Sequence, residues 1–166
     1  MTLLLAAVGA TAAALFELSV GPYFRVSSTQ PHFVLILGVI LTIGLGLEAG
    51  LAWGFVGGLV LDVLAQRPLG ATAFALLLAV GAAFVVSRIG ARLRPIVTVP
   101  ATFLLSLLYS MTLFVAFNAL RATIPVADPA AAILPGAVYD AVLAAVIGPL
   151  SIVIHDRRSE EERVDW

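Results

Sequence analysis

The sequence contains no cysteine and no lysine, and only 11% of its 166 residues are charged. The missing cysteine excludes disulfides, thiolate metal sites and cysteine nucleophiles. All basic residues are arginine, and a net charge of −1 leaves no basic surface of the kind that binds nucleic acid. Apolar residues make up 61% of the chain, and the mean hydropathy is +1.11, far above soluble usage. The composition therefore predicts an integral membrane protein.

Charged residues and prolines divide the chain into six apolar segments. A bilayer core about 30 Å thick needs roughly 20 apolar residues in a helix. Residues 31–65 are too long for one span and slightly short for two, so we expect a tight hairpin near Glu48, where Gly44 and Gly46 supply the only break. We predict an all-α, polytopic six-transmembrane-helix bundle over residues 1–155 and a short charged tail over 156–166. The predicted helices are residues 2–20, 31–47, 49–66, 69–87, 96–120 and 129–154.

Arginines near the predicted helix ends indicate the orientation. A cytoplasmic N-terminus places six arginines inside and three outside, which favours cytoplasmic N- and C-termini. The inner arginines include a basic loop that suits anionic lipid head groups or an acidic partner; ordinary positive-inside bias is the alternative. The loop arginines are Arg88, Arg92 and Arg94; the other inner ones are Arg157, Arg158 and Arg163; the outer ones are Arg25, Arg67 and Arg121.

Small residues form two stripes at helical spacing. Gly50, Gly54 and Gly58 recur every four residues, a pattern that lets helix backbones approach closely in membranes. The stripe serves either packing within the bundle or docking of another protein's transmembrane helix. A second stripe could receive the first or form hydrogen bonds across the bundle, and it consists of Thr102, Ser106 and Ser110.

Three acidic residues fall inside predicted helices, where an ionised carboxylate costs about 2.5 kcal/mol or more on insertion scales. Glu17 and Asp62 lie near predicted outer helix ends, within reach of water. We expect Asp62 either to pair with Arg67 or to accept hydrogen bonds from backbone N–H groups at the start of helix four. Asp140 lies near the predicted midplane. We therefore expect it to be protonated, or paired through hydrogen bonds with Tyr139 or with the hydroxyl groups of the second stripe. A satisfied interhelical bond and a proton- or ligand-binding role remain alternatives for all three residues.

Histidines and serines offer little support for an enzyme or a metal site. His32 and His155 are predicted at opposite membrane faces, about one bilayer core of 30 Å apart, and each fits an interfacial position. Ser106 and Ser110 have no histidine at their predicted depth. We therefore expect no catalytic residues, no metal and no cofactor.

The segment GLVLDVLAQRPLGATAFALLL, residues 58–78, resembles the bacterial rod shape-determining protein MreD family. That family carries G-L-x-x-D, a short turn and then P-L-G opening the next helix. Tyr139-Asp140 departs from the family, where Tyr-Asn is more usual. The matching positions here are Gly58, Leu59, Asp62, Pro68, Leu69 and Gly70.

The resemblance implies a non-enzymatic component of the cell-elongation machinery in the bacterial inner membrane. Family members bind MreC and are linked through it to MreB, RodA and PBP2. We therefore expect a scaffold that binds MreC and helps to control cell shape and lateral peptidoglycan synthesis, with Gly50, Gly54 and Gly58 as packing contacts and Asp62, Arg67 and Pro68 shaping the outer turn.

The bundle is also expected to resemble the substrate-binding subunits of energy-coupling-factor transporters, which supplies an alternative function. A vitamin-type transporter subunit would have an outer-facing pocket lined by polar and aromatic groups. The candidate lining residues are Glu17, Asp62, Tyr109 and Asn118.

Overall fold

The computed structural model describes residues 2–25, 29–89, 94–120 and 133–149. Within this part of the chain lie six α-helices, which confirms the predicted all-α membrane fold. Residues 150–166, which include the predicted charged tail and His155, lie outside the described residues. The helices are α1 Thr2–Val20, α2 Phe33–Leu45, α3 Leu47–Leu64, α4 Ala71–Ile89, α5 Arg94–Ala119 and α6 Ile133–Pro149, with a 3-10 turn Gly21–Phe24 after α1.

Four of the described helical segments are long and apolar enough to span a membrane: Leu3–Phe24, Leu47–Leu64, Ala71–Arg88 and Val99–Ala119. The other two helices, α2 and α6, are apolar and have 10 to 17 described residues; α2 begins two residues after and ends two residues before the predicted bounds 31–47, and α6 is described only over Ile133–Pro149. With 13 residues, α2 is only about 20 Å long at 1.5 Å per residue. Six helices are therefore present among the described residues, and α2 is shorter than an average bilayer core.

The short α2 is the central helix of the bundle. It packs against α1, α3, α4 and α5, and Ile36 and Ile40 contact Ala144 of α6. None of its residues from Phe33 to Gly44 is exposed. Because the neighbouring helices surround α2, its length need not match the bilayer, and irregular backbone at its ends is tolerated where protein covers it.

A single residue, Gly46, separates α2 from α3. Its φ of 99° lies in the region that favours glycine, and its N–H donates to Thr42 O at 3.1 Å. The break therefore comes two residues before the predicted position at Glu48, which instead lies in the first turn of α3. The two helices then run antiparallel, with Trp53 Nε1 donating to Val34 O at 2.9 Å.

Candidate functional site

The three intramembrane carboxylates are all buried. The exposed fraction is 3% for Glu17 and 0% for Asp62 and Asp140. The expectation that Glu17 and Asp62 reach water was therefore wrong: both helices end near these residues, but neighbouring elements cover the side chains. Each carboxylate accepts at least one backbone N–H at the start of another helix. Such N–H groups have no partner within their own helix, and the helix dipole favours negative charge there.

Asp62 caps the start of α4. Its carboxylate accepts the N–H of Gly70 at 2.9 Å, of Thr72 at 3.0 and 3.2 Å, and of Ala73 at 3.4 Å. The sequence offered two arrangements for Asp62. The hydrogen bonds are those of the second, in which Asp62 accepts backbone N–H groups at the start of helix four. Gly70 has a φ of 89°, which lets the chain turn its N–H toward the carboxylate.

Arg67 and Pro68 shape the turn that Asp62 closes. The N–H of Arg67 donates to Asp62 O at 2.9 Å, and Pro68 O accepts from Ala71 N at 3.1 Å. The guanidinium of Arg67 donates to Thr72 Oγ1 at 3.4 Å. It therefore binds the first turn of α4, where the sequence had offered pairing with Asp62 as an alternative.

Glu17 and Asp140 together cap the start of α2. Glu17 Oε2 accepts the N–H of Val34 at 2.8 Å, and Asp140 Oδ1 accepts the N–H of His32 at 2.9 Å. These two carboxylates fix the position at which α2 begins. The side chains of Arg67 and His32 lie close enough to the Glu17 carboxyl group to interact with it electrostatically.

Asp140 makes two further contacts through Oδ2. Ser106 Oγ donates to it at 2.5 Å, and His32 Nδ1 lies 2.8 Å away. The buried Tyr109 packs its ring against His32, with centroids 5.2 Å apart. Tyr139, the other partner expected for Asp140, instead donates its hydroxyl to Phe24 O at 3.0 Å. Asp140, His32 and Ser106 thus form a polar junction between α6, α5 and the start of α2, which we call the Asp140 junction.

Sequence reasoning did not pair His32 with Asp140. It assigned His32 to a membrane face, whereas the histidine side chain is only 23% exposed and bonds to a carboxylate inside the bundle. The two residues are 108 positions apart, so no local spacing indicates the contact. The available signal was chemical, because a histidine and an aspartate in apolar surroundings each need a partner.

The Asp140 junction does not have the geometry of a nucleophile and its base. Ser106 and His32 both bind the same carboxylate oxygen, so the carboxylate is the shared acceptor between them; in a catalytic triad the histidine accepts from the serine. Among the described residues, every buried side-chain nitrogen or oxygen has a hydrogen-bond partner, and no group of three metal-ligating acids or histidines occurs. The arrangement is suited to joining helices.

The glycine stripe of α3 is covered by α4. A Cβ on Gly58 would collide with the backbone of Ala73, and one on Gly54 would lie 3.5 to 3.6 Å from Val80 and Leu76. A Cβ on Gly50 would meet side chains of both α2 and α4. These contacts are those of intramolecular packing, so the alternative of a partner helix docked on this stripe does not fit the fold. The glycine stripe therefore does not pack against the second stripe, which consists of Thr102, Ser106 and Ser110.

The remaining sequence candidates do not gather into one site. Glu17, Asp62 and Tyr109 are buried, whereas Asn118 is exposed and donates to Phe114 O of its own helix at 3.0 Å. Asn118 therefore does not lie with the other three residues proposed to line a transporter pocket. Of the predicted basic loop, Arg88 places its guanidinium carbon Cζ 4.9 Å from the ring centroid of Phe84. Arg92 and the side chain of Arg94 lie outside the described residues.

Comparison with known proteins gives one match. The family described as rod shape-determining protein MreD matches residues 1–154 of the chain. No curated protein and no solved structure matches. The expected likeness to energy-coupling-factor subunits therefore gains no support from a solved structure.

Proposed function

Because the chain belongs to the rod shape-determining protein MreD family, we propose that it is a non-enzymatic scaffold of the elongation complex in the bacterial cytoplasmic membrane. In this role it binds MreC and, through MreC, is linked to MreB, RodA and PBP2. Its effect is to help control lateral peptidoglycan synthesis. The family itself is one of shape determination, and four apolar helices make the chain a membrane protein.

The scaffold proposal rests on the observation that the buried carboxylates bind other helices of the same chain. Glu17, Asp62 and Asp140 each hold the start of a helix, and the described part of the chain leaves no buried polar side-chain atom without a partner. An enzyme or a transporter subunit would be expected to direct some of these groups toward a substrate. A scaffold needs them only to keep a surface in place.

The surface we propose for MreC is the turn between α3 and α4. The glycine stripe is occupied by α4, but Leu69 at this turn is 73% exposed, and Val63 and Leu64 at the end of α3 are 60% and 48% exposed. Pro68 and the Asp62 cap hold the turn in one conformation, which lowers the entropy cost of binding. With a cytoplasmic N-terminus, this turn faces the outer side, where the large domain of MreC lies.

The same orientation places Arg88 on the cytoplasmic side. Its side chain is exposed and follows the apolar run of α4 at the end of that helix. An arginine there suits anionic lipid head groups. This contact is independent of the MreC surface, since the two lie at opposite ends of α4.

Site-specific photo-crosslinking tests the proposed surface. A photoreactive phenylalanine analogue at Leu69 should crosslink to MreC in cells. The matched control is Leu4 on α1, which is also 73% exposed and apolar but lies in a lipid-facing helix. Crosslinking to MreC from Leu4 and not from Leu69 would show that the turn is the wrong surface.

A further inference from the structure

Helix α6 differs from the other helices in how it attaches to the bundle. Its apolar contacts form a small cluster of their own, in which Ala144 meets Ile36 and Ile40 of α2. The main core cluster contains residues of α1 to α5. On its other side α6 exposes an apolar row at every fourth position: Leu134, Val138, Val142 and Val146.

The buried face of α6 consists of small residues and one carboxylate. Its buried positions are Gly136, Ala137, Asp140, Ala141, Ala144 and Gly148. Small residues let the helix approach closely, but they bury little side-chain volume, and no hydrophobic effect drives helix association inside a membrane. Apart from the partly buried Leu143 and Ile147, which pack against Ile36, Ile40 and Ala144, α6 therefore relies on hydrogen bonds for its docking.

These hydrogen bonds converge on Asp140. Its two oxygens bind the N–H and Nδ1 of His32 and the hydroxyl of Ser106, and so join α6 to both α2 and α5. A second polar contact joins Tyr139 to Phe24. If α6 left the bundle, Asp140 would lose these hydrogen-bond partners in apolar surroundings, which is unfavourable.

We infer that α6 is a separable unit of the fold and that the Asp140 junction is the lock that holds it against α2 and α5. The main core cluster contains no residue of α6, and Glu17 and Asp62 still cap the starts of α2 and α4 when Asp140 leaves, so α1 to α5 keep their arrangement when the lock opens. Opening uncovers the Ile36 and Ile40 face of α2. The Asp140 junction thus allows two states of the bundle that differ in the position of α6. This inference does not depend on which protein the chain binds.

Distances between spin labels test this inference, and the absence of native cysteine makes labelling simple. Labels at Val8 and Val142 report the position of α6, whereas labels at Val8 and Phe74 report the body formed by α1 and α4. All three positions are exposed, at 67%, 55% and 56%. The variants are His32→Ala and Asp140→Ala, with Ser106→Ala as the mildest change to the lock.

The expected result is a second, longer distance between Val8 and Val142 in the lock variants, with the distance between Val8 and Phe74 unchanged. Asp62→Ala is the matched control, because it removes a buried carboxylate cap that contacts α4 and should leave the α6 distance single. An unchanged α6 distance in Asp140→Ala and Ser106→Ala would overturn the inference. A change in both distances together would also overturn it, since α6 would then not be separable.

Discussion

Buried acidic side chains in this protein act as caps for helices other than their own. Asp62 lies near the end of α3 yet holds the start of α4, and Glu17 lies near the end of α1 yet holds Val34 of α2. Each pairing gives carboxyl oxygens backbone N–H donors at the positive end of a helix dipole. This explains how carboxylates persist in a chain of such low polarity.

The Asp62 cap can be tested by removing its carboxylate. Asp62→Ala leaves N–H groups of Gly70, Thr72 and Ala73 without their acceptor, and we expect a loss of about 2 kcal/mol or more in the free energy of unfolding. Asp62→Asn keeps one acceptor oxygen and should lose less. Thermal unfolding in detergent, followed through the fluorescence of the buried Trp53, measures both.

Glu48→Gln is the control for that experiment. Glu48 is also an acidic residue of α3, but its side chain is exposed. Its removal should change the unfolding free energy by about 0.5 kcal/mol or less. Equal stability of Asp62→Ala and Glu48→Gln would contradict the capping role.

The residues of the site differ in how far the sequence reveals them. Asp62 precedes a Pro-Leu-Gly turn by a few positions, so a bond to the start of the next helix could be anticipated from spacing alone. The contact between His32 and Asp140 depends on how α6 packs against α2, which no local pattern encodes. Glu17 lies between these cases, because its location near a helix end was predictable and its partner, Val34 N–H, was not.

At the scale of helices, α3 shows how glycine spacing decides packing. Gly50, Gly54 and Gly58 face α4, whereas a Cβ on Gly57 would meet Val34 of α2 at 2.7 Å and Ala10 of α1 at 3.5 Å. Glycine on two sides lets α3 contact three neighbouring helices at short range. The sequence predicted the stripe, but not which helix covers it.

Two substitutions on the glycine stripe of α3 should change the stability of the protein differently. In Gly58→Ala the new Cβ would lie 2.6 Å from Ala73 N and closer still to Ala73 Cα, so α3 and α4 must separate, and we expect destabilisation by about 1 to 3 kcal/mol. In Gly54→Ala the new contacts are ordinary, and the gain in helix propensity of about 1 kcal/mol should leave stability equal or higher. Unfolding midpoints of the two variants in the same detergent provide the measurement. If Gly58→Ala proved as stable as Gly54→Ala, the close approach of α3 to α4 would be refuted.

The bounds of α2 show what hydropathy does not predict about a helix. The segment is apolar, and the sequence predicted a short helix over residues 31–47, whereas α2 covers Phe33–Leu45. The ends of α2 are set by contacts: Asp140 and Glu17 hold its start, and Gly46 ends it. Hydropathy registers that a segment is buried, but a helix surrounded by protein and one surrounded by lipid have similar composition.

For the molecule as a whole, the number and order of the helices followed from the sequence. Charges and prolines divide the chain between the described helices, and the first predicted helix agrees with α1 at both ends. The arrangement around α2 could not be derived, because it depends on contacts between residues far apart in the chain. The family likeness came from the ordered motif at Asp62 and Gly70, and the match over residues 1–154 confirms it.

Native mass spectrometry of the protein purified from its membrane tests the scaffold proposal most directly. If the chain is a scaffold, its 17.3 kDa subunit should be released together with a single-span protein of the mass of MreC and with no small molecule at a fixed ratio. The control is the Asp62→Ala variant, in which the turn that carries Leu69 loses its cap and recovery of MreC should fall. A subunit that retains a small organic ligand and no protein partner would contradict the account and favour a transporter.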